Sequence, residues 1–200
     1  MYKRQEFLKK NFKGLINTVI ISPRRWGKTS LVHKVAKLIS EEEKNVIICQ
    51  VDIFNCRTEE EFYTVFANSL LKSTTTVWEE FVGGVKKYLG RLAPIVSISD
   101  ATQTYELSFG IDFKDSRLSY DEILDLPQVI ANDTKKRIVV CIDEFQNINE
   151  YEEPLAFQRK LRSHWQKHTS VCYCLYGSKR HMLLNIFNNY SICLLYTSPS

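Results

Sequence analysis

The fold of this chain is decided by residues 17–39, which read NTVIISPRRWGKTSLVHKVAKLI. Asn17–Ile21 is mostly apolar and β-branched, which predicts a short buried strand. From Lys28 to Ile39 the apolar residues recur at helical spacing, which predicts an amphipathic helix. A polar loop with a single glycine, Ser22–Gly27, joins the two. A strand that leads through a short loop into a helix is half of a βαβ unit, and it favours a parallel sheet.

The rest of the chain largely repeats this alternation. Further strands are predicted at residues 46–51, 137–142 and 171–176. Further helices are predicted to begin at Thr58 and to cover residues 120–132, 154–167 and 179–187, with a break or kink at Pro127. This order predicts an α/β fold, a three-layer sandwich in which helices cover both faces of a parallel sheet.

Residues 91–115 depart from the alternation. Tyr105–Phe113 alternates apolar and polar residues with a period of two, which is typical of a half-exposed antiparallel strand. Ile95–Ser99 is its predicted partner across the polar turn Asp100–Thr104. We therefore predict a β-hairpin inserted into the parallel core.

Composition places the chain among ordinary globular proteins. Its 200 residues, 44% hydrophobic and 25% charged, suffice for one α/β domain with a hydrophobic core. No apolar run approaches the length of a membrane span, and the basic N-terminus lacks the apolar segment of a signal peptide, so we expect a cytoplasmic protein without a membrane partner. The net charge of +4 is too small to indicate nucleic acid. The six cysteines are expected to be buried, reduced thiols.

Residues 22–30 have the features of a phosphate-binding loop, or P-loop. Such a loop directs backbone N–H groups at phosphates and begins a helix whose partial positive charge faces the same anions. Lys28 is expected to reach the β- and γ-phosphates of ATP, and the hydroxyl of Thr29 is expected to be a ligand of Mg²⁺. The residues expected to contact the nucleotide are Ser22, Pro23, Arg24, Arg25, Trp26, Gly27, Lys28, Thr29 and Ser30.

The first half of this loop departs from the P-loop motif. Ser22 stands where the motif has its first glycine, and a serine is expected to strain or restrict the tight turn there. Arg24 and Arg25 fill variable positions, either as counter-charges for phosphate or as solvated side chains. The alternative is a Lys-Thr pair at an ordinary helix start, but the position between a strand and a helix favours a P-loop.

A second part of the candidate site follows the strand 137–142. Asp143 and Glu144 come directly after it, at the edge of the sheet where ligands of open α/β folds bind. Asp143 is expected to hold Mg²⁺, and Glu144 to polarise the water that attacks the γ-phosphate. The alternative is that both begin a solvated loop. Ser178, after the strand 171–176, is a candidate polar group beside that water, although it would serve equally as a helix N-cap.

Three segments together resemble the archaeal-type ATPase family, a branch of the AAA+/STAND P-loop ATPases. They are SPRRWGKTSL at 22–31, VVCIDEFQ at 139–146 and YGSKRHML at 176–183. The resemblance covers Phe7–Asn189 and implies binding of ATP and Mg²⁺, hydrolysis by the Asp-Glu pair and a sensor role for Ser178. It also implies a helical lid and a C-terminal domain, which we expect to be absent here. Residues 1–6 and 190–200 fit no predicted element and are expected to be non-native or disordered.

Three functions stay open at this stage. The first is ATP hydrolysis that drives a conformational change, and the second is a nucleotide-dependent regulatory switch with little turnover, which the Ser22 departure favours. The third is DNA association through the basic helix 154–167, unless that helix is simply a solvated face with a partly buried tryptophan. Its relevant residues are Arg159, Lys160, Arg162, His164, Trp165, Lys167 and His168. Arg162 would alternatively reach the nucleotide of a neighbouring subunit, which requires self-association. A GTPase is disfavoured because no Asn-Lys-x-Asp string occurs.

Overall fold

The computed structural model of the protein describes residues 2–23, 25–74, 95–98, 105–108, 119–180 and 183. The helices are α1 (Tyr2–Lys13), α2 (Lys28–Glu42), α3 (Glu59–Thr74), α4 (Tyr120–Thr134) and α5 (Pro154–Trp165), with a 3₁₀ helix at Phe145–Glu150. The strands are β1 (Thr18–Ile21), β2 (Val46–Asp52), β3 (Ile95–Ile98), β4 (Tyr105–Ser108), β5 (Arg137–Asp143) and β6 (Val171–Gly177).

Four of the strands form one parallel sheet in the order β1-β6-β5-β2. The register aligns the strand ends in two pairs: Ile21 lies opposite Gly177, and Asp52 lies opposite Asp143. The carboxyl ends of all four strands therefore meet at one edge, as the predicted α/β fold requires. The strands β3 and β4 pair antiparallel, with Ile98 opposite Tyr105, which confirms the hairpin within residues 91–115. Its turn lies outside the described residues.

Helices cover both faces of the sheet, which confirms the three-layer arrangement. Successive residues of a strand point to opposite faces. On one face Val139 and Cys141 of β5 pack with residues of α1 and α2. On the other face Val140 and Ile142 pack with residues of α3, α4 and α5. Because both faces are covered, β5 is apolar along nearly its whole length, as buried parallel strands are.

Helix α1 corrects the expectation for the N-terminus. Tyr2–Gln5 was predicted to fit no element, but these residues form the first turn of α1. Leu8 and Phe12 lie one helical turn apart and are both buried against the α2 side of the sheet. The Nζ atom of Lys9 also lies 2.6 Å from a carboxylate oxygen of Glu42 on α2. Residues 190–200 lie outside the described part of the chain.

Helix α4 runs through Pro127 without interruption, so of the predicted break or kink the break is wrong. The helix begins with a capping box, in which Ser119 and Glu122 each bond to the backbone N–H of the other. Leu124, Leu126 and Ile130 around the proline are fully buried. The cap and this burial offset the one hydrogen bond that the proline cannot donate. The predicted helix 179–187 lies mostly outside the described residues.

The cysteines behave as the sequence predicts. The five that are described are free and buried: Cys49, Cys56, Cys141, Cys172 and Cys174. Burial raises the pKa of Cys56 to about 11, so its thiol stays protonated near neutral pH. Within the described ranges, no helix has both the length and the apolar character needed to cross a membrane.

Candidate nucleotide site

The loop between β1 and α2 has a backbone shape that depends on one glycine. Gly27 has a φ of 72°, and α2 begins at the next residue, Lys28. No atom lies within 4 Å of a Cβ built on Gly27, so its backbone conformation, rather than lack of space, favours glycine. Arg25 also has a left-handed backbone, with a φ of 63°. The loop therefore makes the sharp turn into a helix N-terminus that a P-loop requires.

Lys28 lies inside the turn of this loop. Its side chain is largely buried, and its Nζ atom donates hydrogen bonds to the carbonyl oxygens of Ser22 at 2.9 Å and Pro23 at 3.1 Å. The ammonium group is thus held at the end of β1 by two neutral acceptors. No carboxylate bonds to it among the described residues, so its charge is available to an anion.

A cavity of about 400 Å³ opens at the start of α2. We call it the loop cavity. It is lined by Arg25, Gly27, Lys28, Thr29, Ser30, Phe54 and Glu144. It therefore brings the second half of the predicted P-loop together with one member of the Asp-Glu pair, which lies more than a hundred residues away in sequence.

Thr29 and Asp143 meet at this edge of the sheet. The hydroxyl of Thr29 donates to Oδ2 of Asp143 over 2.8 Å, and the backbone N–H of Glu144 donates to Oδ1, also over 2.8 Å. Burial raises the pKa of the Asp143 carboxyl above its ordinary value, although these two hydrogen bonds oppose the shift. A buried carboxylate of this kind gains from a cation beside it.

The two side chains suit Mg²⁺ in particular. Mg²⁺ prefers oxygen ligands and usually keeps several waters and phosphate oxygens, so one carboxylate and one hydroxyl are enough protein ligands. Among the residues that the structure describes, no cluster of three or more His, Cys, Asp or Glu side chains could hold a metal by itself. The donor set fits a cation shared with a phosphate ligand.

Glu144 is fixed in an unusual conformation. Its φ of 51° lies in the left-handed region that residues with a side chain rarely adopt. Its Oε2 atom accepts a hydrogen bond from Ser178 Oγ at 3.1 Å and a further, short one from Nε2 of Gln146. The side chain therefore bridges the ends of β5 and β6 while it lines the loop cavity.

A family model described as predicted AAA-ATPase, or AAA-ATPase-like, matches residues 6–183. The chain belongs to this AAA-ATPase-like family. Membership agrees with the resemblance to archaeal-type ATPases that the three sequence segments carry. A comparison with curated proteins gives no match.

Solved structures from three organisms share the fold. A Walker-type ATPase of Pyrococcus abyssi is 16% identical with a TM-score of 0.59, over 96% of this chain and 49% of its own. Cdc6p from Pyrobaculum aerophilum is 12% identical with a TM-score of 0.59, over 97% of this chain and 42% of its own. The Aeropyrum pernix ORC2 protein, in ADPNP–ADP complexes, is 16% identical with a TM-score of 0.59, over 96% and 45%. The chain thus spans less than half the length of these proteins, and at such identities the likeness shows the P-loop ATPase fold alone.

Except for Arg25, the described residues of the first half of the loop lie apart from the loop cavity. Ser22, Pro23 and Trp26 line a second cavity of about 420 Å³ on the β1 side of the loop, together with Arg4 of α1. Ser22 is not among the residues with a positive φ, so the expected strain from a serine does not arise in the backbone here. The side chain of Trp26 is 67% exposed. Arg24 lies outside the described residues.

The basic helix α5 is largely used for packing. Trp165, which the solvated-face alternative expected to be partly buried, is 2% exposed and stacks on Tyr173 of β6 with 4.1 Å between ring centroids. His168 bonds to the hydroxyl of Tyr173 at 2.8 Å and to Asp125 at 3.2 Å, and His164 bonds to Asp125 at 2.8 Å. These side chains face the protein, so the aromatic and imidazole part of the predicted DNA surface is absent.

Two residues of the site were not singled out from the sequence. Phe54 lines the loop cavity and is half exposed. Gln146 bonds to Glu144 from a buried position. The string DEFQ at 143–146 contained the signal for Gln146, since it places a polar side chain two residues after Glu144. Nothing in the sequence around Phe54 indicates its position.

Proposed function

We propose that this ATPase binds ATP with Mg²⁺ at the loop cavity and hydrolyses it to ADP and phosphate. The observation that carries the proposal is the 2.8 Å contact between Thr29 Oγ1 and Asp143 Oδ2, with Lys28 and Glu144 lining the same cavity. P-loop ATPases need these four groups together: a lysine for phosphate, a hydroxyl and a carboxylate for Mg²⁺, and a second carboxylate for water.

Each side chain has a part that follows from its place. Lys28 and the N-terminus of α2 would neutralise the phosphates, since both present positive charge to the loop cavity. Thr29 and Asp143 would hold Mg²⁺, which when bound neutralises charge on the β- and γ-phosphate oxygens. Glu144 would accept a proton from the attacking water. Ser178 would act as a sensor of that carboxylate through its hydrogen bond to Oε2 of Glu144.

A regulatory switch with little turnover is the second candidate. Two observations favour it: Lys28 is already bonded to the carbonyl groups of Ser22 and Pro23, and Glu144 is already bonded to Ser178. A nucleotide would exchange some of these bonds for its own, so binding by itself would change the loop and the end of β6. We further propose residues 7–189 as the ATPase core, with the hairpin as an insertion.

The two candidates are separated by phosphate release from Mg²⁺-ATP. We expect Glu144→Gln to lower the rate by about 100-fold or more, because a positioned general base contributes roughly 10²- to 10⁴-fold. The matched control is Glu153→Gln, an exposed carboxylate outside the loop cavity, which should leave the rate unchanged. A wild-type rate no higher than that of Glu144→Gln would refute hydrolysis and leave the switch.

A further inference from the structure

Gln146 is a buried polar side chain that acts on Glu144. It lies in the 3₁₀ helix directly after β5 and is 1% exposed. Its Nε2 atom donates to Oε2 of Glu144, the same oxygen that accepts from Ser178. The other carboxylate oxygen, Oε1, accepts from neither, so two donors fix one side of the carboxylate and leave the other side for a ligand of the loop cavity.

The amide of Gln146 leaves one of its polar atoms without a hydrogen bond. Its Oε1 atom is buried and has no hydrogen-bond partner among the described residues. A buried acceptor without a donor is unfavourable, and an apolar side chain of the same size would avoid the cost. The contact with Glu144 is what the glutamine supplies in exchange.

Gly177 makes room for this amide. A Cβ atom added to Gly177 would lie 1.8 Å from Oε1 of Gln146 and 3.0 Å from its Cδ, and 3.2 Å from a methyl group of Leu183. Gly177 is not among the residues with a positive φ, so its backbone does not require glycine. Space for the Gln146 side chain is therefore the reason for a glycine at the end of β6.

We propose that Gln146 is a positioning residue that orients Glu144 toward the attacking water, and that Gly177 is a glycine in order to admit it. The inference deepens the proposed function, since it concerns the residue that would accept the proton. It makes one prediction that hydrolysis alone does not: residues 146 and 177, 31 positions apart, act as a unit on the rate of turnover.

The first experiment removes the donor without shortening the side chain. In Gln146→Met we expect kcat for Mg²⁺-ATP to fall about tenfold or more, which is part of the roughly 10²- to 10⁴-fold attributed to a general base. The Kd for ATP, measured by equilibrium binding, should stay within about twofold, because Gln146 does not line the loop cavity. The control is Gln158→Met: Gln158 is equally buried, bonds to Asn149 at 2.9 Å and does not line the loop cavity, so kcat should not change.

The second experiment couples the two positions and also serves if Gln146→Met fails to fold. Gly177→Ala should lower kcat because the new methyl group displaces the amide of Gln146. In a Gln146→Ser background the same change should lower kcat no further, since only the contact with Leu183 remains. Equal losses from Gly177→Ala in both backgrounds would overturn the inference.

The inference and the function fail in different ways. If Glu144→Gln abolishes turnover but Gln146→Met matches the wild type, the inference is overturned and hydrolysis stands. If Gln146→Met weakens kcat and ATP binding together, its role is structural and the inference is again overturned. If the wild type hydrolyses Mg²⁺-ATP no faster than Glu144→Gln, both the proposed hydrolysis and the inference are refuted.

Discussion

Two regions of the molecule differ in the regularity of their structure. At the loop cavity, Arg25 and Glu144 have left-handed backbones and Asp143 is a partly buried carboxylate. On the opposite face of the sheet, α3, α4 and α5 pack aromatic rings into the core in regular helices. We call the second region the aromatic face; its rings are Phe62, Phe66, Phe157, Trp165 and Tyr173, each no more than 2% exposed. Among the described residues, the other two left-handed non-glycine backbones, at Leu15 and Lys135, follow the ends of α1 and α4, so only those at the loop cavity lie beside the proposed chemistry.

The largest expected effect on stability comes from the aromatic face. Trp165 stacks on Tyr173 and lies 6.3 Å from the ring of Phe66. We expect Trp165→Ala to lower the free energy of unfolding by about 3–5 kcal/mol, because it leaves a large cavity. Trp26→Ala, at a 67% exposed position in the loop, should change it by less than about 0.5 kcal/mol. Urea unfolding of both variants measures this, and similar costs would remove the contrast between the regions.

A smaller effect is expected from the loop itself. Gly27→Ala places a side chain on a backbone with a φ of 72°, which should cost about 1–2 kcal/mol of unfolding free energy. Because no atom lies within 4 Å of the new Cβ, the cost is conformational and packing does not contribute. Thermal unfolding checks this, with the exposed helical change Ser40→Ala as the control. A cost no larger than that of the control would mean that the loop is not held in this conformation.

The smallest effect is a pH dependence on the aromatic face. Burial lowers the pKa of His168 below its ordinary value of 6.5, while the hydrogen bond and charge of Asp125 oppose the shift and the charges of His164 and Lys167 add to it. The Nδ1 atom of the His168 ring faces the hydroxyl of Tyr173. The neutral ring is favoured in the folded state, so this contribution to stability is present above about pH 6.5 and is lost as the pH falls through the lowered pKa.

We expect this loss to be the smallest of the three effects, because the hydrogen bond and charge of Asp125 oppose the lowering of the pKa by burial. Urea unfolding at about pH 7.5 and about pH 5.5 measures it. The difference between the two pH values should shrink in His168→Gln and persist in His33→Gln, a change at an exposed position on α2. An unchanged pH dependence in His168→Gln would contradict the assignment.

The sequence predicts the parallel core well and the N-terminal helix poorly. Strands β5 and β6 are recognisable because they are buried on both faces and therefore almost continuously apolar, and the edge strand β2 is recognisable from its apolar first half. Helix α1 is not, because its buried side consists mainly of Leu8 and Phe12 among lysines, too few apolar positions for a periodic pattern. Pro127 is a second such case. Proline locally favours a break, but the burial of the residues around it keeps α4 continuous.

In the candidate site, too, some contacts could be predicted from the sequence and others could not. Thr29 lies in the first turn of the helix that follows β1, and Asp143 ends β5, so the parallel topology already brings both to the carboxyl edge of the sheet. The meeting of Gln146 with Gly177 is not, because it depends on the side-chain conformation and on the backbone turn at Glu144. Trp165 lies on a helix whose basic residues suggest a nucleic-acid surface, and only the packing of α5 against β6 shows that its ring points inward.

The central claim is that the loop between β1 and α2 binds the phosphates of ATP through Lys28. Equilibrium binding of Mg²⁺-ATP to the wild type and to Lys28→Ala tests it most directly. We predict an affinity lower by about tenfold or more in the variant, since a hydrogen bond to a charged group contributes about 1.5–3 kcal/mol. Equal affinities of the two proteins for Mg²⁺-ATP would contradict the claim.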